Sequence, residues 1–247
     1  MKIAQLNFLE YLAREEQNLL SSIVNFREDF DFIYRLDNIY REPLQYIEVD
    51  KPEEFVPRLL LFVHFHMYFS VSCLIRSHFS ECLASVRKAI DASLSAYRII
   101  LDPKTAKLYE KRDKTFLHIK SYIQAERKKD GNKYPIAKSL LELHDMCSEY
   151  GSHADVSSFI DRVEILDLPD PRKQQLRFHY FQFPRDPNEY AIHLVDTLWA
   201  FYVMLFIFKD FIGSKLKDRS TDWSQNLEEI GSQLFRRKTE LYLFKDK

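Results

Sequence analysis

The chain has 247 residues, 46% hydrophobic and 15% aromatic, with a formal net charge of -1. That suits one large, well-cored domain; the 30% of charged residues weighs against disorder, and the near-zero charge excludes a global basic field for nucleic acid, leaving only a local patch open. Four glycines, none before Gly131, exclude a glycine-rich phosphate loop over the first half and predict long helices.

From Ile3 to Tyr40 apolar residues recur at helical spacing, among them Leu6, Leu9, Leu12, Leu19, Ile23, Phe30 and Ile33. That predicts one or two amphipathic helices. Asn7 and Glu10 interrupt any apolar core there, so no secretory leader is expected. Pro43, Pro52 and Pro57 punctuate a linker. From Phe55 to Leu101 there is no glycine, and no proline after Pro57, which predicts one central helix, straight or bent once. Its second half carries Ala84, Ser85, Ala89, Ala92, Ser93, Ser95 and Ala96, small side chains that let other helices approach closely. Asp102-Pro103 ends it.

A third helix is predicted from Pro103 to Lys129 and a fourth from Pro135 to Tyr150, with Gly151 as its C-terminal cap. Phe159–Leu166 and Gln175–Phe183 flank the turn Leu168–Pro171 and predict a β-hairpin. A long helix follows from Pro187 to Leu216. A last amphipathic helix carries Trp223, Leu227, Ile230, Leu234 and Leu241. The expected fold class is mainly α: a single domain over 1–247, a long-helix bundle with a small β-hairpin inserted before the last long helix. Within it, 1–50 holds N-terminal helices, 55–217 the core bundle with the hairpin at 159–184, and 218–247 the C-terminal amphipathic segment.

Leu59–Ile75 has no formal charge and Thr197–Phe208 is apolar, but each falls short of the roughly 20 residues of a membrane span, so none is expected. Cys73, Cys82 and Cys147 form no CxxC pair and are too few for a disulfide framework, which fits a reduced, cytoplasmic setting. His64-Phe65-His66 would point its imidazoles apart on a helix, and there is no HExxH, so no metal is expected. No other cofactor is expected either.

The central helix carries Arg76, Glu81, Arg87 and Asp91 among apolar and small residues. Arg87 and Asp91, four apart, face each other. Charges on a surrounded helix must pair or line a pocket, so the set reads either as an internal network fixing helix register or as a ligand site. Tyr150, Gly151 and His153 form a second candidate at the end of the fourth helix. His153 follows a glycine in a connection, where a histidine can carry a proton or simply pack the corner. Arg172 and His179 have the spacing of a HEPN ribonuclease pair, but they fall in the hairpin rather than at a helix end, and read as chance.

The run Arg76-Ser-His-Phe-Ser-Glu81, with Arg87, Asp91 and Tyr97 beyond it, resembles a pattern in uncharacterised helical bacterial proteins, some of them HEPN-like. A "Ser…His-Pro-Ser" corner follows there, which Ser148–His153 resembles, with Ala154 in place of the proline and Asp91 where Glu is more usual. The resemblance covers about residues 60–160. It implies a helical bundle of bacterial or phage origin in which Arg76, Glu81, Arg87, Asp91 and His153 converge. It brings no activity with it.

The leading expectation is a non-enzymatic helical binding protein with a polar inter-helix pocket lined by Arg76, Glu81, Arg87, Asp91 and Tyr150. The alternative is a HEPN-like RNA-processing or phage-defence protein with His153 as acid/base and Arg76 or Arg87 on a phosphate. A third reading is a structural homodimer through the aromatic helix from Trp199 to Phe211.

Overall fold

Asn7 opens the first helix by a reciprocal cap: its side chain accepts from the Glu10 N–H at 3.0 Å, and Glu10 accepts from the Asn7 N–H at 2.9 Å. The computed structural model describes residues 7–47, 54–151, 163–167, 174–181, 187–216 and 220–245. Among them the helices are α1 (Phe8–Asn25), α2 (Arg27–Leu44), α3 (Phe55–Ile75), α4 (Phe79–Leu101), α5 (Ala106–Glu110), α6 (Lys114–Leu117), α7 (Ile119–Lys129), α8 (Ala137–Gly151), α9 (Pro187–Leu216) and α10 (Ser220–Lys245). The mainly α architecture stands, with one hairpin before the last two long helices. Strands β1 (Val163–Asp167) and β2 (Gln174–Phe178) are antiparallel, in the register Val163↔Phe178, Ile165↔Leu176 and Asp167↔Gln174.

The predicted central helix is corrected. It is a helical hairpin, α3 and α4 packed along one another, reversed at Arg76–His78. The reversal stands on Ser77, buried at φ 67° in the left-handed region where glycine is the usual choice. A serine in that role leaves no glycine or proline signal in the sequence. The third helix is likewise corrected to short pieces: a 3-10 turn over Pro103–Thr105, then α5, α6 and α7, with Arg112 at φ 54° between α5 and α6.

The reversal is fastened from outside. Carbonyls at the end of α3 lack a full set of helical donors, although that of Leu74 accepts from the Ser77 N–H at 2.8 Å, and side chains from α1 and α9 supply more. Ser22 Oγ donates to the Ile75 carbonyl at 3.0 Å, Asn18 Nδ2 to that of Arg76 at 3.2 Å, and the Tyr190 hydroxyl to that of Leu74 at 2.9 Å. Helix α1 therefore docks through polar residues: Asn18 and Ser22 are its buried positions, while Leu9, Leu20 and Val24 stay exposed.

Helix α9 is the axis of the bundle and touches α2, α3, α4, α8 and α10. By length and composition, Phe55–Ile75 and Asn188–Leu216 are apolar enough to cross a membrane, but 50% and 72% of their windows are buried against the rest of the chain. Leu198, Phe201, Met204, Leu205 and Phe208 of α9 are fully buried, and Trp199 lies against Phe235 of α10. On the face proposed from sequence for a homodimer, Trp199, Val203, Phe206 and Phe211 are half-buried. Helix α10 comes so close to α9 that a Cβ on Gly231 would overlap the Tyr202 ring.

Between α2 and α3, His64 stacks on Tyr40 with centroids 5.3 Å apart, and its Nε2 lies 2.7 Å from Asp37 Oδ1. Burial holds the His64 pKa below its usual value, against the pull of Asp37. The unfolded chain then binds more protons below about pH 6.5, so stability is full above that value and is lost as pH falls through it. The melting temperature should drop between about pH 7.5 and pH 5.5. In His64→Gln the drop should be smaller; an equal drop in both proteins would remove His64 from the effect.

Candidate functional site

The sequence constellation divides into two groups on α4, with Glu81 and Asp91 separated by about 15 Å of helix rise. Arg76 lies off α4 altogether. It caps α3, and its guanidinium folds back onto Ser72, donating to the carbonyl at 3.2 Å and to Oγ.

The first group gathers at the reversal. His78 Nε2 lies 2.8 Å from Glu15 Oε1 and 3.2 Å from the Tyr11 hydroxyl, and Phe181, just beyond β2, stacks on Tyr11 with centroids 5.2 Å apart. Glu81, exposed in the first turn of α4, is near enough to act electrostatically on this set. Burial, then Glu15 and Glu81, raises the Tyr11 hydroxyl. Burial, then Glu81, pushes the Cys73 thiol up to about 11, with Arg76 opposing. A thiol held protonated is a poor nucleophile.

The second group forms the seam between α4 and α8. His144, 4% exposed, presents Nε2 to Arg87 and Asp91 together. Arg87 Nε donates to it at 3.4 Å, and Asp91 Oδ1 lies 3.2 Å away. On the other side of the ring, Nδ1 is 3.3 Å from Ser148 Oγ, which donates to the His144 carbonyl at 2.7 Å. Neutral His144 accepts from Arg87; protonated His144 donates to Asp91. In either state the set, with His144 buried and Arg87 and Asp91 half-buried, ties α4 to α8.

Tyr150 belongs to the last turn of α8 by its backbone, while its side chain and His153 lie outside the described residues, as does Arg172. His179 is exposed beside β2, its Nε2 3.4 Å from Glu164 across the hairpin.

Asp91 has a second neighbourhood. Its carboxylate side chain, 44% exposed, lines a cavity of about 600 Å³ bounded by α3, α4 and the α5–α7 segment. Phe55, Leu59, Phe62, Tyr109 and Phe116 make the apolar wall; Arg58, Lys88, Asp91 and Ser95 bring polar groups. Ala92, a small residue on α4, opens the floor. The far wall is pinned by Arg98, 5% exposed, whose guanidinium lies 4.3 Å from the Phe116 ring centroid and 3.9 Å from that of Tyr122, and donates to Thr115.

Of the residues read from sequence, this cavity contains Asp91. Arg58, Lys88, His144 and Arg98 were missed. His144 had a signal: an Arg/Asp pair on a helix expected to be covered requires a polar partner on the covering helix. Arg58 and Lys88 had none, because their meeting depends on the α3–α4 reversal. Among the described residues no group of three or more His, Cys, Asp or Glu could hold a metal ion. Compared with family models, with characterised proteins and with solved structures, the chain matches none.

Proposed function

We propose that this chain is a non-enzymatic helical binding protein whose ligand enters the cavity between α3, α4 and the α5–α7 segment. The observation that carries this reading is that cavity: about 600 Å³, an apolar wall, and Lys88, Asp91 and the Glu54-paired Arg58 as polar points at its edge. Small-molecule sites share that size and lining: a mostly apolar concavity with a few polar groups that orient the ligand. Charges of both signs favour a ligand with an apolar body and a dipolar or hydrogen-bonding end over a simple anion. The Arg87–His144–Asp91 seam supports α4 from behind and keeps Asp91 in place, and Arg98 does the same for Phe116.

A thermal-shift screen of amphipathic ligands on wild type and Ala92→Phe tests this. The phenyl group fills the floor. A ligand at a hundred times its Kd stabilises by about 2.7 kcal/mol, roughly 5–10 °C for a domain of this size. The shift should appear in wild type and vanish in the folded variant; equal shifts in both would place the ligand elsewhere. RNA cleavage lost in His153→Ala and kept in His179→Ala would replace binding by the HEPN-like reading.

A further inference from the structure

A second cavity lies on the other side of α4. It holds about 380 Å³ between α4, α8, α9 and α10. Phe79, Leu83, Val86, Leu143, Ile192 and Ala200 make its walls. None of these residues belongs to the cavity beside Asp91.

Its polar end is neutralised from within the protein. Asp196 Oδ1 lies 2.7 Å from Lys238 Nζ, and Oδ2 accepts from the Tyr242 hydroxyl at 2.6 Å. Thr197 turns its hydroxyl onto the His193 carbonyl at 2.7 Å, and the His193 ring lies against Phe79 with centroids 4.3 Å apart. The one carboxylate in the lining therefore has its counter-charge beside Oδ1, which takes no hydrogen bond, and a hydrogen bond at Oδ2. A charged ligand would lose its hydration against an apolar wall and find Asp196 already engaged.

The way in is also marked. Met146 is 42% exposed and Tyr242 41%, while Leu83, Val86, Ile192 and Ala200 are buried. The rim is thus a flexible thioether on α8 facing a tyrosine on α10 that is held to Asp196 by a single hydrogen bond.

We infer that the cavity between α4, α8, α9 and α10 is a second binding site, for an uncharged apolar ligand that enters between Met146 and Tyr242. The lining supplies contact area and the Asp196–Lys238–Tyr242 group closes the polar end, so selection is against charge.

Two fluorescent probes with one carbon skeleton test this: neutral N-phenylnaphthylamine and its anionic relative anilinonaphthalene sulfonate. Wild type should bind the neutral probe saturably, one per chain, and the sulfonate at least about tenfold more weakly. Ala200→Phe fills the cavity and Met146→Trp blocks its rim; each should weaken neutral-probe binding about tenfold or more while the helical circular dichroism stays unchanged. Met146 is half exposed, so that variant remains informative where Ala200→Phe fails to fold. Ala92→Phe, in the other cavity, should leave the neutral probe unaffected, whatever becomes of the ligand proposed there. Absence of saturable binding to wild type, equal affinity for the two probes, full binding by folded Met146→Trp, or loss of binding in folded Ala92→Phe would each overturn the inference.

Discussion

Trp223→Ala should lower unfolding stability by about 3–5 kcal/mol, the usual cost of deleting a fully buried large aromatic. Trp223 is 0% exposed, and its indole Nε1 donates to the Ile39 carbonyl of α2 at 2.9 Å. The substitution removes the ring, leaves a cavity, and strips the carbonyl of a partner where little water can replace it. Denaturant unfolding followed by helical circular dichroism measures the loss. Trp223→Phe should cost less, since it refills most of the cavity and forfeits chiefly the hydrogen bond. A loss below about 1 kcal/mol in Trp223→Ala would mean that α10 does not seat on α2 as described.

Arg237→Ala should be the second largest change, at about 3 kcal/mol. Arg237 makes two hydrogen bonds to Asp29, Nε to Oδ1 at 2.8 Å and Nη2 to Oδ2 at 3.2 Å. The Asp29 side chain is 2% exposed and that of Arg237 29%. Removing the arginine strands a buried carboxylate, which costs far more than the pair itself contributes. The partly exposed arginine places the effect at the low end of the range. The double variant Asp29→Leu/Arg237→Met should recover most of the loss, because apolar replacement of a buried pair is close to neutral. A double variant no more stable than Arg237→Ala would show that the stranded charge is not the cause.

Both predictions fall on α2 and α10, which the sequence marked only as amphipathic helices; α9 and the hairpin were marked more sharply. The bounds of α9, Pro187 to Leu216, follow from its apolar content and the prolines before it. The hairpin follows from alternation and from Pro169 and Pro171. The α3–α4 reversal was not legible, because a buried serine takes the left-handed turn that glycine would have advertised. That one miss displaced the site. A straight helix keeps Arg76 on one broad face with Arg87 and Asp91; the reversal moves Arg76 to the end of α3 and joins Glu81 to Glu15, Tyr11 and His78 from α1 and the turn. In sequence Asp91 reads as either a network residue or a pocket residue, and in the structure it both meets His144 and lines the cavity. The rest of its cavity comes from α3, α5, α6 and α7, and no local pattern in those segments says that they meet.

The way α10 closes on α2 also bears on the order in which the chain folds. Ile39 and Trp223 are 184 positions apart and Asp29 and Arg237 are 208 apart, whereas α3 and α4 adjoin through a three-residue turn. Contacts between sequence neighbours form early, while those that close long loops must first meet the entropy of bringing distant segments together. The α3–α4 hairpin is thus the natural nucleus. The α2–α10 seam should close late, so its mutations are expected to speed unfolding more than they slow folding in stopped-flow unfolding and refolding. For this bundle, resistance to opening resides in the residues that meet last.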